Sequence, residues 1–140
     1  APAGSGFCRL REDLPPADFL ALRERFRALD YTALRFTDSR ASYQFYPLAR
    51  LARDLDTALD AGLSLVNLAT EPLEVAAIYR AVEGGTFVNE LPASPARYDY
   101  RTRHAAAFGG KNGYLLGREA LLKDITAFVR AGRQALEASV

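Results

Sequence analysis

The chain has 140 residues, 49% hydrophobic and 25% charged, with a net charge of +1. That length suits one domain able to bury roughly two-thirds of its unfolded surface without disulfides or metal. So small a net charge supplies no long-range field, which argues against nucleic acid or an anionic membrane as partner. The basic residues are sixteen Arg and two Lys, Lys111 and Lys123. They are spread along the chain among acids, as on solvated helix faces, although Arg is also the side chain suited to bidentate carboxylate or phosphate contacts. The single Cys, Cys8, has no internal disulfide partner, and the single His, His104, cannot complete a Cys/His zinc cluster. No apolar run of membrane-spanning length and no charged-then-apolar leader occur, so a reducing, cytoplasmic setting is expected. The chain contains no Met. Either an initiator Met preceded Ala1, or the chain is a piece of a longer one.

Residues 1–6 are small and rich in Gly and Pro, which predicts a flexible N-terminal segment before a single domain over 7–140. Residues 7–10 suit a short strand. Leu14-Pro15-Pro16 is a boundary, and Pro followed by Asp18 opens a helix. Phe19, Leu22, Phe26 and Leu29 form its stripe, and Asp30 closes it. Residues 32–36 suit a strand, and Asp38-Ser39-Arg40 a polar turn. The organising stretch follows. Residues 43–46, Tyr-Gln-Phe-Tyr, suit a strand. Leu48, Leu51, Leu55 and Leu59 mark one stripe of a helix ended by Gly62, with Arg50, Arg53, Asp54 and Asp60 off it. Residues 64–68 suit a second strand, 69–72 a turn, and 73–82 a second helix. That order is the pattern of a βαβα unit with parallel strands and a right-handed crossover.

Gly84-Gly85 stops the second helix. Residues 86–88 suit a short strand, and the two prolines in 90–95 an extended connection. Asp99 can cap a helix over 100–108, which Gly109-Gly110 ends. Residues 109–113 form a tight turn. The last helix runs from Arg118 to about Ala138 and buries Leu121, Leu122, Ile125, Phe128 and Val129. The fold class expected is α/β: a small, mostly parallel sheet flanked by about five helices.

From Tyr43 onward this order resembles the C-terminal, substrate-binding part of the extended short-chain dehydrogenase/reductase family of NAD-dependent epimerases and dehydratases. The residues that carry the resemblance are the aromatic strand, the 48–61 helix, Leu65-Val66-Asn67-Leu68, Thr70-Glu71-Pro72, the 73–82 helix, Ser94-Pro95-Ala96-Arg97, Asp99, Phe108-Gly109 and the terminal helix. The resemblance implies the C-terminal half of a Rossmann-type fold and a parent enzyme that uses NAD(P). It implies nucleotide sugars or related phosphorylated molecules as substrates. The reactive half is missing from this sequence. There is no Gly-x-Gly-x-x-Gly turn. The residues four after each Tyr are Arg35, Pro47, Arg50, Glu83, Thr102, His104 and Arg118, so no Tyr-x-x-x-Lys exists. Pro47-Leu48 stands where a polar turn is usual, and the segment around Pro15–Asp30 is unlike the family's glycine-rich substrate loop.

The resemblance places Arg97 on the substrate's phosphates, where its prolines restrict the backbone behind a fixed guanidinium fork. The bland alternative is a surface pair with Asp99 or Glu90. Arg40 and Gln44 flank the first strand, where ligands of open α/β sheets collect, or they serve only the turn and the strand face. Asn67, inside an apolar strand, is expected to be bonded to a neighbouring loop. Gly109–Gly113 with Lys111 lacks the strand and the Lys-Ser/Thr of a phosphate loop, and reads as a helix cap and turn. His104 has no Ser, Cys or Asp partner for general-base work. Tyr43, Tyr46, Tyr98 and Tyr100 line one groove or pair across strands. No catalytic or metal site is visible in this chain alone, and it holds no cofactor site of its own. The function expected is the substrate-binding portion of an epimerase/dehydratase-like enzyme, completed by an N-terminal cofactor-binding half. The alternative is a non-catalytic binding or interaction domain that forms homo-oligomers through an open sheet edge.

Overall fold

In a computed structural model of the chain, which describes residues 11–138, helix makes up about half of the residues. Helix α1 spans Pro16–Ala28, opening on proline with Asp18 in its first turn and closing with Arg25 and Arg27 in its last. Strand β1 is Ser42–Tyr43 and β2 is Leu73–Glu74. Helix α2 is Leu51–Asp60, α3 is Val75–Glu83 and α4 is Arg118–Glu137. Three short 3-10 turns lie at Ala33–Phe36, Leu48–Arg50 and Ala105–Phe108. Helix α3 ends where sequence predicts, because Gly84 takes a left-handed φ of 74° and its N–H donates to the Arg80 carbonyl.

The expected mostly parallel sheet does not form. Among the described residues the sheet has two strands, and they are antiparallel, with Ser42 opposite Glu74 and Tyr43 opposite Leu73. One parallel bridge, Ser42 to Arg97, flanks β1 on its other side. The physical reason is that a strand requires a neighbouring ladder, not only a suitable sequence. Residues 64–68 carry no ladder, although Leu65 and Asn67 point outward while Val66 and Leu68 are half-buried. That alternation is a strand's burial pattern without a strand's partner. Asn67, expected to be buried and bonded, is exposed. Residues 86–88 likewise form no ladder among the described residues, and 32–36 wind into the Ala33–Phe36 turn. The helix expected over 100–108 shrinks to Ala105–Phe108. The Asp99 carboxylate does not cap it but binds Arg101 and the Tyr114 hydroxyl. The strand expected over 7–10 lies outside the described residues, as does Cys8.

The buried centre gathers around β2. Leu73, Thr70, Ala41, Leu121 and Leu115 are all at most 3% exposed. Main-chain hydrogen bonds run through it from Leu115 N–H to Ala69 and from Glu71 N–H to Leu116. Others run from Val75 N–H to Ala41, and from Ser39 N–H to Asn89. The turn at 109–113 is tight enough that a Cβ on Gly110 would lie 2.0 Å from the Tyr114 carbonyl oxygen, so only glycine fits there.

Outside this centre the apolar residues stay wet. No residue of α1 is buried, and Phe19, Phe26 and Leu29 are 46%, 44% and 57% exposed. Helix α2 is turned opposite to expectation. Its buried residues are Asp54 and Ala58, while Leu48, Leu51, Leu55 and Leu59 are all exposed. On α4, Leu121 is buried as expected, but Phe128 is 80% exposed. The chain's accessible surface is 10668 Å². A compact chain of 15.3 kDa would expose about 7,100 Å². An upper bound of about 1,900 Å² for the twelve undescribed residues does not close that gap.

Candidate functional site

The polar face of α2 builds a cleft. Arg50, Arg53, Asp54 and Thr57 follow one another at helical spacing and share one side of the helix. With Phe108, Leu115 and Leu116 on the opposite wall, they enclose about 420 Å³. Asp54 is 2% exposed. Its carboxylate accepts from the Tyr46 hydroxyl at 2.7 Å and, more distantly, from Arg50 Nε at 3.3 Å and Arg53 Nε at 3.4 Å. Burial works to raise the Asp54 pKa. The Tyr46 hydroxyl and the two guanidiniums more than offset it and hold the acid below the usual carboxylate range. Tyr46 moves the other way: burial first, then the hydrogen bond and charge of Asp54, push its phenol up to about 12.

A second, larger hollow of about 740 Å³ lies between β1, α3 and α4. Tyr43, Phe45, Val75, Ile78, Tyr79 and Ile125 give it an apolar lining, and the Glu83–Arg133 ion pair lies at its border. Tyr43 leads from it into a tyrosine ladder. The Tyr43 and Tyr98 rings stack at 5.7 Å, and those of Tyr98 and Tyr100 at 6.0 Å. Tyr46, expected with these three, turns away to Asp54.

Of the residues expected to bind substrate, Arg40 has all three guanidinium nitrogens engaged. Its Nε and Nη2 donate to Asp38 at 3.0 and 2.7 Å, its Nη1 to Glu90 at 3.0 Å, and Nη2 also to the Leu91 carbonyl. The hydrogen bond from Arg40 holds the Asp38 carboxyl far below the usual range. Gln44 is a clip between loops. Its amide nitrogen donates to the carbonyls of Thr70 and Tyr100 at 2.5 and 2.7 Å, and its oxygen accepts the Tyr100 N–H at 2.7 Å. Arg97 is fixed by its backbone beside Ser42, while its exposed side chain has no hydrogen-bond or ionic partner among the described residues. The three residues therefore hold separate posts around β1. His104 accepts a hydrogen bond from Arg103, and its backbone N–H donates to the Thr102 hydroxyl. The α2 cleft was not visible in the sequence as a site. Its one signal is the spacing of Arg50, Arg53, Asp54 and Thr57, which also describes an ordinary solvent face.

Among the described residues no glycine turn opens a helix in the way a dinucleotide's pyrophosphate requires. Gly84 and Gly109 close helices rather than open them. At the start of α4, where Gly117 is the N-cap, the Glu71 carboxylate already accepts the Arg118 N–H at 2.8 Å. That internal anion takes the place a pyrophosphate needs at a helix N-terminus. Among the described residues no group of His, Cys, Asp and Glu is placed to hold a metal ion, and no helix is long and apolar enough to cross a membrane. No family model, curated protein or solved structure matches the chain.

Proposed function

We propose that the chain is the substrate-side portion of an NAD(P)-dependent epimerase/dehydratase-like enzyme, completed by a cofactor-binding half that it does not contain. The observation that supports this best is the outward leucine stripe of α2, beside the unpaired segment 64–68. Leu48, Leu59 and Leu65 are 76%, 74% and 81% exposed. A sheet from the missing half would give residues 64–68 a ladder and cover the stripe in one step. In this reading Arg97 is the substrate contact, since of the three expected residues its side chain alone has no partner among the described residues. The substrate class is a phosphorylated small molecule or nucleotide sugar, held without catalysis by this chain. The compartment assigned is the cytoplasm.

A second reading, a non-catalytic interaction domain, draws on a different observation. The two-residue strands leave almost no open edge, so association between copies would use side chains of α1 and α2 rather than a sheet edge.

The coding sequence adjoining this chain, with light scattering of the 140-residue product, separates the two. A Gly-x-Gly-x-x-Gly turn and a Tyr-x-x-x-Lys in the same frame or in a co-purifying chain are expected. A native product of this length that associates only with itself would replace the first reading with the second.

A further inference from the structure

We propose that the α2 cleft is a binding subsite for the phosphate group of a small phosphorylated ligand, held between Arg50 and Arg53. This goes beyond the enzyme-half reading and stands without it, because every residue involved belongs to this chain.

The lining carries two guanidiniums and one carboxylate, leaving one uncompensated positive charge. Asp54 does not use up the arginines. The Tyr46 hydroxyl makes its one short bond, while both arginines reach it at 3.3–3.5 Å through Nε and Nη2. Nη1 of each arginine makes no hydrogen bond to the described residues. Two guanidinium forks with free donors on one side of a cleft match an anion with three oxygens better than a two-oxygen carboxylate. Asp54 holds both forks and neutralises only one of their two charges. The volume of about 420 Å³ exceeds what a phosphate alone needs, so the mostly polar cleft has room for part of the group that carries it. Arg40 shows the contrast: four hydrogen bonds engage all three of its guanidinium nitrogens.

The test is an amide NMR titration of the full chain, at constant ionic strength, with inorganic phosphate, a sugar monophosphate and acetate. Phosphate and sugar monophosphate are expected to give saturating shifts at residues 50–57 and 107–109, with the sugar monophosphate tighter and acetate at least about tenfold weaker. Arg53→Gln is expected to weaken phosphate by about tenfold or more, and Arg130→Gln, on α4 and outside the cleft lining, to change nothing. Arg53 is the better probe than Arg50 because its side chain is 64% exposed, and its loss leaves Arg50 to neutralise Asp54. The amide spectrum reports the variant's folding in the same experiment. No saturating shift, an unchanged affinity in Arg53→Gln, acetate matching phosphate, or inorganic phosphate matching the sugar monophosphate would each overturn the assignment.

Discussion

The region around Leu73 and the outer face of α2 treat water in opposite ways. Around Leu73 the buried polar groups are paired. Thr70 is fully buried, its hydroxyl donating to the Phe45 carbonyl while its own carbonyl accepts from Gln44. Asp38 takes Arg40 and the Leu91 N–H, and Asn89 ties down the carbonyls of Leu34, Arg35 and Thr37. On α2 the leucines lie outside and the carboxylate inside. The first region is finished by this chain alone. The second has an amphipathic helix of strong polarity whose leucines remain 37–76% exposed, an apolar side that the described residues cover only in part. Stability should therefore be concentrated in the first region, and association in the second.

Gln44→Ala is the largest expected break in the finished region. It removes three hydrogen bonds and leaves the Thr70 carbonyl buried without a donor, at a cost of about 2–3 kcal/mol by urea unfolding. A Gln44 whose role were to contact ligand would instead lower affinity and leave the urea midpoint in place.

Tyr46→Phe tests the seam between the regions, because Tyr46 leaves β1's end to reach the polar face of α2. Losing its hydrogen bond to the charged Asp54 should cost about 1.5 kcal/mol near neutral pH. The pH dependence has two limbs of opposite sign. The Tyr46 phenol is raised in the folded chain, so its contribution is complete below its ordinary pKa near 10 and disappears as pH rises through about 12. The Asp54 carboxyl is lowered, so its contribution is present above about pH 4 and is lost as pH falls below that. Ultraviolet titration should show a phenol ionising at about 12 that vanishes in Tyr46→Phe, while the Tyr114 phenol, raised by its hydrogen bond to Asp99, remains. Persistence of the ionisation at about 12 in the variant would place that phenol elsewhere.

The sequence was most legible where local chemistry decides. Pro15-Pro16-Ala17-Asp18 opened α1, Gly62 and Gly84 ended α2 and α3, and the 109–113 turn sat where its glycines are. It was least legible where a distant partner decides. Residues 64–68 have a strand's composition and burial rhythm, yet no ladder reaches them. Leu48, Leu51, Leu55 and Leu59 form a true amphipathic stripe, but periodicity states only that one face is apolar, not that this chain covers it. The same limit hid the α2 cleft. Arg50, Arg53, Asp54 and Thr57 are the polar complement of that stripe, and become a lining only because Phe108, Leu115 and Leu116 stand opposite. Arg40 erred in the other direction. An arginine beside a strand looks available until Asp38 and Glu90 are seen to surround it.

The smallest expected effect on stability is also the sharpest test of the contrast. The pair Leu48→Lys and Leu59→Lys changes two leucines that are 76% and 74% exposed. Each should move the unfolding free energy by no more than about 0.5 kcal/mol, since neither opens a cavity nor buries a charge. Association is where the pair should act. Two ammonium groups on the stripe must be desolvated by whatever covers it, so self-association by light scattering, or capture of a cofactor-binding half, should fall by tenfold or more. Destabilisation of about 2 kcal/mol or more would mean that the stripe is packed within the chain in solution. Unchanged association would move the interface to α1, whose Phe19, Phe26 and Leu29 are the next apolar row without a cover.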